Sequence, residues 1–200
     1  MARPKAFDRD EALTAGVEVF WRQGYAATTT DDLARAMGIG RQSFYDTFGD
    51  KRRCYLEALR RYSLGEIGRQ IDGMRGLAPL DALRALLRGP SNVATARQGL
   101  GCLAVNAFTE HGGRDAEVLA ALSLSSDQLG AAVLEVLRAA KARGDVAPTL
   151  DERRAARTLL TVRAGLMVRA KAGASPSELR ETADFAVDQL ASGAGVTAEA

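Results

Sequence analysis

The polar residues between positions 41 and 51 are of the types that recognise DNA. Arg41 suits the O6 and N7 acceptors of guanine, and Gln42 suits the N6 and N7 positions of adenine. The hydroxyl groups that follow can reach bases or phosphates, and an ammonium can meet a phosphate. Two threonines at the start of the preceding helix can bind phosphates in the same way. We therefore expect the DNA contacts to come from Thr29, Thr30, Arg41, Gln42, Ser43, Tyr45, Thr47 and Lys51.

Two short helices and a tight turn must position these side chains. Thr30 is a candidate N-cap, because two acidic residues follow it in the positive first turn of a helix. Gly38 can adopt the left-handed backbone of a sharp helix exit, and Ile39 fills the corner between the helices. Phe44 and Phe48 lie four residues apart and give the second helix a buried face. The segment is predicted to be a helix-turn-helix whose second helix lies in the DNA major groove.

A helical hairpin that only packs, with a solvated polar face, is the alternative interpretation of this segment. Tyr45 favours DNA binding, because an exposed aromatic ring beside two hydrogen-bonding residues gains little from water. Lys51 begins the next helix, where its ammonium and the helix amides can hold one phosphate together. The negative charge of Asp46 is unfavourable next to DNA phosphates, although its carboxylate can accept a hydrogen bond from cytosine N4. The balance of these features favours DNA binding.

The same segment carries a resemblance to a known family through a set of spaced motif residues. These are Thr28-Thr29-Thr30, Leu33-Ala34, Met37-Gly38-Ile39, Ser43-Phe44-Tyr45, Phe48 and Asp50-Lys51. Together they resemble the N-terminal domain of the tetracycline-repressor (TetR) family, and the resemblance is dense over residues 8–60. It implies a homodimeric, all-helical, ligand-responsive transcription regulator, most often a repressor. It also implies DNA contact at the positions named above other than Thr30. Asp46 departs from the family pattern, since many members have an aromatic residue or histidine there.

The amino-acid composition excludes several other classes of protein, including disulfide-stabilised scaffolds and membrane-spanning proteins. The chain has 200 residues and a formal net charge of +2, and the whole excess falls within the first 65 residues. Two cysteines exclude a disulfide scaffold and fit the reducing cytoplasm. No run of about 18 apolar residues is present, so no membrane span is expected. The charged N-terminus does not have the pattern of a signal peptide.

No enzyme site, metal or cofactor is expected. The chain lacks a glycine-rich phosphate loop, paired acids and a nucleophile elbow. Cys102 and His111 would be about 2.5 turns apart on one helix, so they do not form a thiol catalytic pair. One histidine and no paired-cysteine spacing leave too few ligands for a metal. A helical scaffold that binds only protein remains as another class.

Helical periodicity runs along nearly the whole chain, and glycine and proline divide it into about nine helices. We expect an all-α protein with a DNA-binding domain at 1–50 and a ligand-binding and dimerisation domain at 51–200. A bridging helix at about 50–75 would join them. The predicted helices are roughly 8–24, 31–37, 41–47, 50–75, 79–88, 100–111, 115–143, 151–172 and 176–192.

The second domain offers less specific signals for a ligand site and a dimer surface. Cys102 could be a reactive thiol near a helix N-terminus or a small buried thiol that only packs. The resemblance implies that the last two helices form the dimer surface, and the alternative is a helix pair that closes the core of its own domain. The candidate ligand-binding residues are Cys102, Asn106, Phe108 and Leu122. The candidate dimer residues are Leu159, Leu166, Met167, Leu179, Ala183, Val187 and Leu190.

These observations predict a cytoplasmic, homodimeric repressor that binds a pseudo-palindromic double-stranded DNA operator. A small-molecule inducer of unknown identity would release it by preferring the DNA-incompetent state. An electrophile- or redox-sensing regulator that acts through Cys102, or a transcriptional activator, is the alternative. Arg3 and Lys5 could form a basic arm on the DNA or belong to a leader without structure.

Overall fold

Nine α-helices and no strands make up the described part of the chain, which confirms the all-α prediction. The computed structural model describes residues 7–96, 99–111 and 113–192, so Arg3 and Lys5 lie outside the described residues. None of the helices in these ranges is both long and apolar enough to cross a bilayer. The helices are α1 (Arg9–Ala27), α2 (Thr30–Ala36), α3 (Arg41–Phe48), α4 (Lys51–Met74), α5 (Pro79–Ala96), α6 (Leu103–His111), α7 (Ala116–Arg143), α8 (Glu152–Lys171) and α9 (Pro176–Ser192).

The first compact unit comprises α1, α2, α3 and the first part of α4, together with residues 103–124. In this unit α1 contacts α2 and α6, and α2 contacts α3. Its core side chains are Phe20, Leu33, Phe44, Tyr55 and Leu59, and all are at most 1% exposed. Burial of each such side chain stabilises the fold by roughly 1.5–3 kcal/mol, so this small unit depends on few large residues. The functional division at residue 50 stays a prediction, because these contacts join α6 and the start of α7 to the first helices.

Helix α1 is interrupted at Gly24, where the sequence predicts its end. Gly24 has a φ of 77°, a left-handed conformation that a residue with a Cβ atom rarely adopts. The Thr28 hydroxyl donates to the Gly24 carbonyl (2.6 Å), which satisfies one acceptor at the break. The chain then makes one more helical turn before α2 begins.

The second compact unit comprises residues 65–102 and the chain from residue 125 onward, within the described ranges. Here α5 packs against α8 and α9 around a core of leucine, valine and alanine side chains. The predicted end of α5 at residue 88 is wrong, because the helix continues through Pro90 to Ala96. Proline removes one helical hydrogen bond and costs about 3 kcal/mol in a helix interior. Burial of Leu83, Leu86 and Leu87 along the same helix offsets that cost.

The residues predicted to form the dimer surface are inside this second unit. Leu159, Leu166 and Met167 are at most 4% exposed in the single chain. These side chains pack within their own chain, and their contact with a partner protomer stays a prediction. The other four predicted residues also pack in this core, with Leu190 only partly buried: Leu179, Ala183, Val187 and Leu190.

Candidate nucleic-acid interface

The start of α2 is fixed by a capping box. The N-cap is Thr29, one residue before the Thr30 predicted from sequence. The Thr29 hydroxyl oxygen accepts from the Asp32 amide (3.1 Å), and the Asp32 carboxylate accepts from the Thr29 amide (3.0 Å). The hydrogen bond from the Thr29 side chain is the main reason that the pKa of Asp32 is lowered. Thr29 therefore has a structural role in the helix start, in addition to its predicted DNA contact.

The turn between α2 and α3 is a Schellman motif. Its Gly38 has a φ of 66° and donates its amide to the Arg35 carbonyl (3.2 Å). The Ile39 amide reaches back to the Ala34 carbonyl (3.0 Å), which completes the motif. Both bonds satisfy carbonyl groups that the end of α2 leaves open. The turn predicted from the glycine and the apolar residue after it is confirmed.

Helix α3 is anchored by its aromatic face and leaves its polar face open. Phe44 and Phe48 are buried at 0% and 4% exposure, while Tyr45 is 44% exposed. The Tyr45 ring lies edge-on to Phe44, with 5.6 Å between the centroids, so the packing orients the exposed ring. The N-cap is Gly40, which has no side chain to bind the first-turn amides. The first-turn amides therefore have no side-chain cap, and the ring of Tyr45 is left exposed on the polar face.

The two residues predicted to read bases are bound to carboxylates of the chain itself. The Arg41 guanidinium makes two hydrogen bonds to Asp31 on α2. Gln42 Nε2 donates to Asp46 Oδ1 (2.8 Å) one turn further along α3. The Arg41 and Asp31 side chains are 66% and 50% exposed, and such exposed pairs contribute only about 0–1 kcal/mol. Their donors can therefore be exchanged for DNA acceptors at low cost.

Lys51 has a structural contact that sequence reasoning did not find. Its ammonium donates to the carbonyl of Tyr25 (2.9 Å) and to that of Thr28 (2.7 Å). It also lies 4.3 Å from the centroid of the Tyr25 ring. An ammonium has three N–H groups, so one remains for a phosphate. The main effect of Lys51 in this structure is to close the end of α1 onto the start of α4.

The remaining predicted DNA residues lie on or beside this surface. Thr30 and Thr47 are half-buried, and so is Ser43 in the first turn of α3. The structure thus brings together the eight predicted positions on α2, on α3 and at the start of α4. Their contact with DNA stays a prediction.

Glu110 of α6 binds the interrupted end of α1, and sequence reasoning missed it. Its carboxylate accepts from the amides of Tyr25 (2.9 Å) and Ala26 (2.8 Å), which the break at Gly24 leaves without helical partners. A Cβ atom at Gly24 would lie 3.2 Å from Glu110 Oε2. The two positions are more than 80 residues apart in sequence, and no local pattern could have linked them.

A charged cluster next to this contact joins α4 to the start of α7. Arg52 binds both Asp115 and Glu117, and its guanidinium hydrogen bond lowers the pKa of Asp115. His111 Nδ1 lies 3.4 Å from the same Asp115 carboxylate. The opposite nitrogen, His111 Nε2, is buried and has no hydrogen-bond partner among the described residues. The cluster joins the start of α4 to the end of α6 and the start of α7.

A groove of about 470 Å³ lies beside the C-terminal end of α3 and has three arginines in its wall. Arg9 binds Glu57 (2.7 Å) and lies 5.2 Å from the centroid of the Phe48 ring. This contact fastens the start of α1 to α3 and α4. Arg53 and Arg60 add positive charge next to the recognition surface, which favours the approach of phosphates.

The predicted ligand residues do not share one environment. Cys102 and Leu122 are buried, Asn106 is half-buried, and Phe108 is 39% exposed. Cys102 belongs to the second unit and the other three to the first, so their common site stays a prediction. Neither Cys54 nor Cys102 forms a disulfide, and burial raises the pKa of Cys54 to about 12. No group of three metal-binding side chains is found within the described ranges.

Comparison with known proteins places the whole chain in one family. Residues 12–58 match the model of bacterial regulatory proteins of the tetR family. Residues 79–186 match the tetracyclin repressor-like C-terminal domain. The chain is 30% identical to the HTH-type transcriptional regulator YezE of Bacillus subtilis (strain 168), with 95% of this chain and 100% of YezE covered. It is 26% identical to the HTH-type transcriptional repressor ComR of Escherichia coli (strain K12), with 90% and 88% covered.

A solved structure shows a similar protein on DNA. The TetR-family regulator CifR, as a cysteine variant complexed with 26-base-pair operator DNA, is 34% identical to this chain. The TM-score is 0.78, and the comparison covers 93% of this chain and 98% of CifR. The sequence resemblance, the helix-turn-helix and these comparisons agree, and the chain belongs to the TetR family of bacterial transcriptional regulators.

Proposed function

We propose that this regulator binds a pseudo-palindromic operator as a homodimer and represses transcription in the cytoplasm until a small molecule releases it. The observation that carries the proposal is the exposed face of α3, which the Schellman turn and two buried phenylalanines hold in place. The CifR complex with operator DNA and the name of ComR as a repressor support the assignment.

Operator binding proceeds by exchange of partners at this face. Arg41 leaves Asp31 for a guanine or a phosphate, and Gln42 leaves Asp46 for an adenine. Asp46 then lies without its partner near the DNA, unless a cytosine N4 donates to it. The first-turn amides of α3, which have no side-chain cap, meet a phosphate.

A second protomer would meet the outward face of α8 and α9. Phe185 is 64% exposed and Val168 is 48% exposed, on the sides of these helices that face away from the core. Gly165 on the same helix as Val168 is exposed and permits a close approach of a partner helix. A two-fold pair built on this face would present two recognition helices to two operator half-sites.

Phe185→Glu tests this surface. We expect the variant to keep its helical content, to elute as a monomer, and to lose most of its operator affinity. Leu77→Glu is the matched control, because Leu77 is 46% exposed but lies in the segment between α4 and α5. A variant Phe185→Glu that remains a dimer would refute the proposed interface.

Release requires that the inducer prefers the state that does not bind DNA. Helix α4 is suited to carry this preference, because its first residues belong to the first unit and its last ten residues belong to the second. The thiol of Cys102 is only 5% exposed, and this burial favours packing over reaction with an electrophile.

Selection of genomic DNA fragments with purified protein tests the proposed function. We expect enrichment of a pseudo-palindrome whose half-site centres lie about 10 base pairs apart or at a multiple of that spacing. Binding should weaken steeply with added salt, because phosphate contacts release counterions. Absence of any enriched sequence would refute operator binding.

A further inference from the structure

We propose that the second unit contains an anion site at Arg163 and that the inducer carries a carboxylate. A hydroxyl or amine donor on the same molecule would bind Gln70. This inference rests on the proposed function, in which a small molecule controls the protein, and it specifies the chemical class of that molecule.

Arg163 occupies a position on α8 that the helix otherwise fills with apolar side chains. Leu159 lies one turn before it and Met167 one turn after it, and both are 2% exposed. Arg163 itself is only 8% exposed, so a guanidinium is buried on the core-facing side of the helix. A charge in such a place is strongly unfavourable unless an opposite charge accompanies it.

The Nε atom of the Arg163 guanidinium is buried and has no hydrogen-bond partner among the described residues. Arginine carries five N–H donors in a planar fork, and buried donors in proteins nearly always have acceptors. The fork of Arg163 is therefore open for an acceptor that comes from outside the chain.

Glu66, an acid that interacts electrostatically with Arg163, is already bound by other residues of α4. Its carboxylate accepts from Arg69 Nη2 (2.6 Å) and from Gln70 Nε2 (2.8 Å). Burial alone would raise the pKa of Glu66, but these hydrogen bonds and the charges of Arg69 and Arg163 lower it. Glu66 is thus ionised, and the cluster contains one negatively charged carboxylate and two positively charged guanidinium groups. The cluster keeps an excess of one positive charge.

Gln70 adds an unfilled acceptor to the same cluster. Its Nε2 donates to Glu66, which fixes the orientation of the amide, and its Oε1 is buried without a donor. A ligand with a hydroxyl or amine group could supply that donor. The site therefore lacks one anionic acceptor and one neutral donor.

The single excess positive charge of the cluster formed by Glu66, Arg69 and Arg163 favours a singly charged anion over a doubly charged one. A carboxylate carries one negative charge and matches the guanidinium fork with two parallel hydrogen bonds. A phosphate monoester carries about two charges at neutral pH, which one excess positive charge does not balance. Neutralisation of Arg163 by a monoanion would remove the unfavourable burial of its charge and would stabilise the liganded state.

Thermal unfolding with matched ligand pairs tests the site without DNA. The probes are sodium salts of linear carboxylates from acetate to octanoate, of 3-hydroxybutyrate and of benzoate, each compared with its carboxamide. We expect at least one carboxylate to raise the Tm of the wild-type protein by roughly 5–10 °C at 100 times its Kd. The corresponding carboxamide should have no effect, and Arg163→Met should abolish the shift.

Two further variants separate an anion site from a structural role. Arg163→Lys keeps the charge but loses the planar fork, so it should retain a weaker shift. Without ligand, Arg163→Met should unfold at the same or a higher temperature than the wild type, because no partner loses a bond. If Arg163 instead supports the fold through Glu66, Arg163→Met will lower the Tm. That result, or equal shifts with carboxylates and carboxamides, would overturn the proposal.

The test distinguishes failure of this inference from failure of the proposed function. Operator binding by the ligand-free protein is measured separately, by fluorescence anisotropy. If the protein binds an operator but no carboxylate in the set raises its Tm, the anion site is refuted and DNA binding stands. If a carboxylate raises the Tm but no operator is bound, the anion site stands and the proposed function fails.

Discussion

The two compact units differ in whether their cationic side chains have hydrogen-bond partners within the chain. At the proposed DNA-binding surface, Arg41 binds Asp31 and the Lys51 ammonium binds two carbonyls. In the second unit Arg163 is buried, and its Nε atom has no hydrogen-bond partner among the described residues. The first arrangement holds a binding surface in a shape from which DNA can displace weak pairs. The second leaves a buried guanidinium whose Nε–H group has no acceptor.

This difference in the pairing of cations indicates how operator DNA and a small anion could each bind the same protein in a different way. DNA meets exposed groups whose internal pairs contribute about 0–1 kcal/mol each, so the surface rearranges with little loss of stability. A small anion meets one buried group, and its binding changes the electrostatic balance of the whole core around it. Mutations of paired and unpaired cations should therefore have effects of opposite sign on stability.

The largest expected effect is on the paired cation of the first unit. Lys51→Met removes two hydrogen bonds to carbonyls and a cation–π contact, while it keeps most of the side-chain volume. We expect a loss of about 2–4 kcal/mol in the free energy of unfolding, measured by urea denaturation. Arg75→Met is the control, because the Arg75 side chain is 75% exposed and pairs only with Asp72. If the urea midpoint of Lys51→Met equals that of the wild type, the proposed difference between paired and unpaired cations is contradicted.

Gly24→Ala tests the contact that fastens α6 to the interrupted helix. Alanine at a φ of 77° is strained, and its Cβ would press on Glu110. Gly76→Ala is the matched control, since its φ is 74° and its Cβ would meet no atom within 4 Å. Strain alone costs about 1–2 kcal/mol, so Gly24→Ala should lower the Tm by more than Gly76→Ala does. Equal decreases would show that the Glu110 contact adds nothing.

Asp31→Asn should change stability little and DNA binding more. The exposed pair with Arg41 contributes under about 1 kcal/mol, so the urea midpoint should hardly move. Because Arg41 no longer has to leave a carboxylate, operator affinity should rise by roughly threefold to tenfold at low salt. Anisotropy titrations on one operator fragment measure the change. A decrease in affinity would mean that Asp31 positions Arg41 for its base.

The smallest expected effect at neutral pH is that of Cys54→Ala on the pH dependence of the free energy of unfolding. Its folded-state pKa of about 12 lies above the ordinary value of 9.0, because burial disfavours the thiolate. Below pH 9 both the folded and unfolded chains keep the proton, and this contribution to stability is complete. Between about pH 9 and pH 12 only the unfolded chain loses it, so the free energy of unfolding falls as pH rises. Cys54→Ala should show a weaker fall in this window.

The helix-turn-helix was predictable because its signals are local. The Gly38-Ile39 pair specifies the Schellman turn, and the spacing of Phe44 and Phe48 specifies the buried face. The continuation of α5 through Pro90 was not predictable, since packing against α8 and α9 outweighs a local rule. The contact of Glu110 with Tyr25 joins distant parts of the chain, and no spacing rule reports it.

The helices at the end of the chain show a further limit of periodicity. The apolar stripe on α8 and α9 predicts a face that packs against something, but the pattern does not say whether the same chain or a partner protomer covers it. Leu159 and Leu166 are covered by the same chain, and the exposed residue Phe185 on α9 is the better candidate for a partner contact. Arg163 interrupts that stripe, and it was not among the candidate site residues identified from the sequence.

The most direct measurement of the central claim is the affinity of Tyr45→Ala for the selected operator fragment, by fluorescence anisotropy. Tyr45 is the exposed aromatic residue of α3, and its loss in both protomers removes a contact worth about 1–3 kcal/mol at each half-site. The account predicts an affinity decrease of roughly 30-fold or more, with the dimer and the helical content intact, and a smaller decrease for Tyr45→Phe. An unchanged affinity for Tyr45→Ala would contradict the assignment of α3 as the DNA-reading helix.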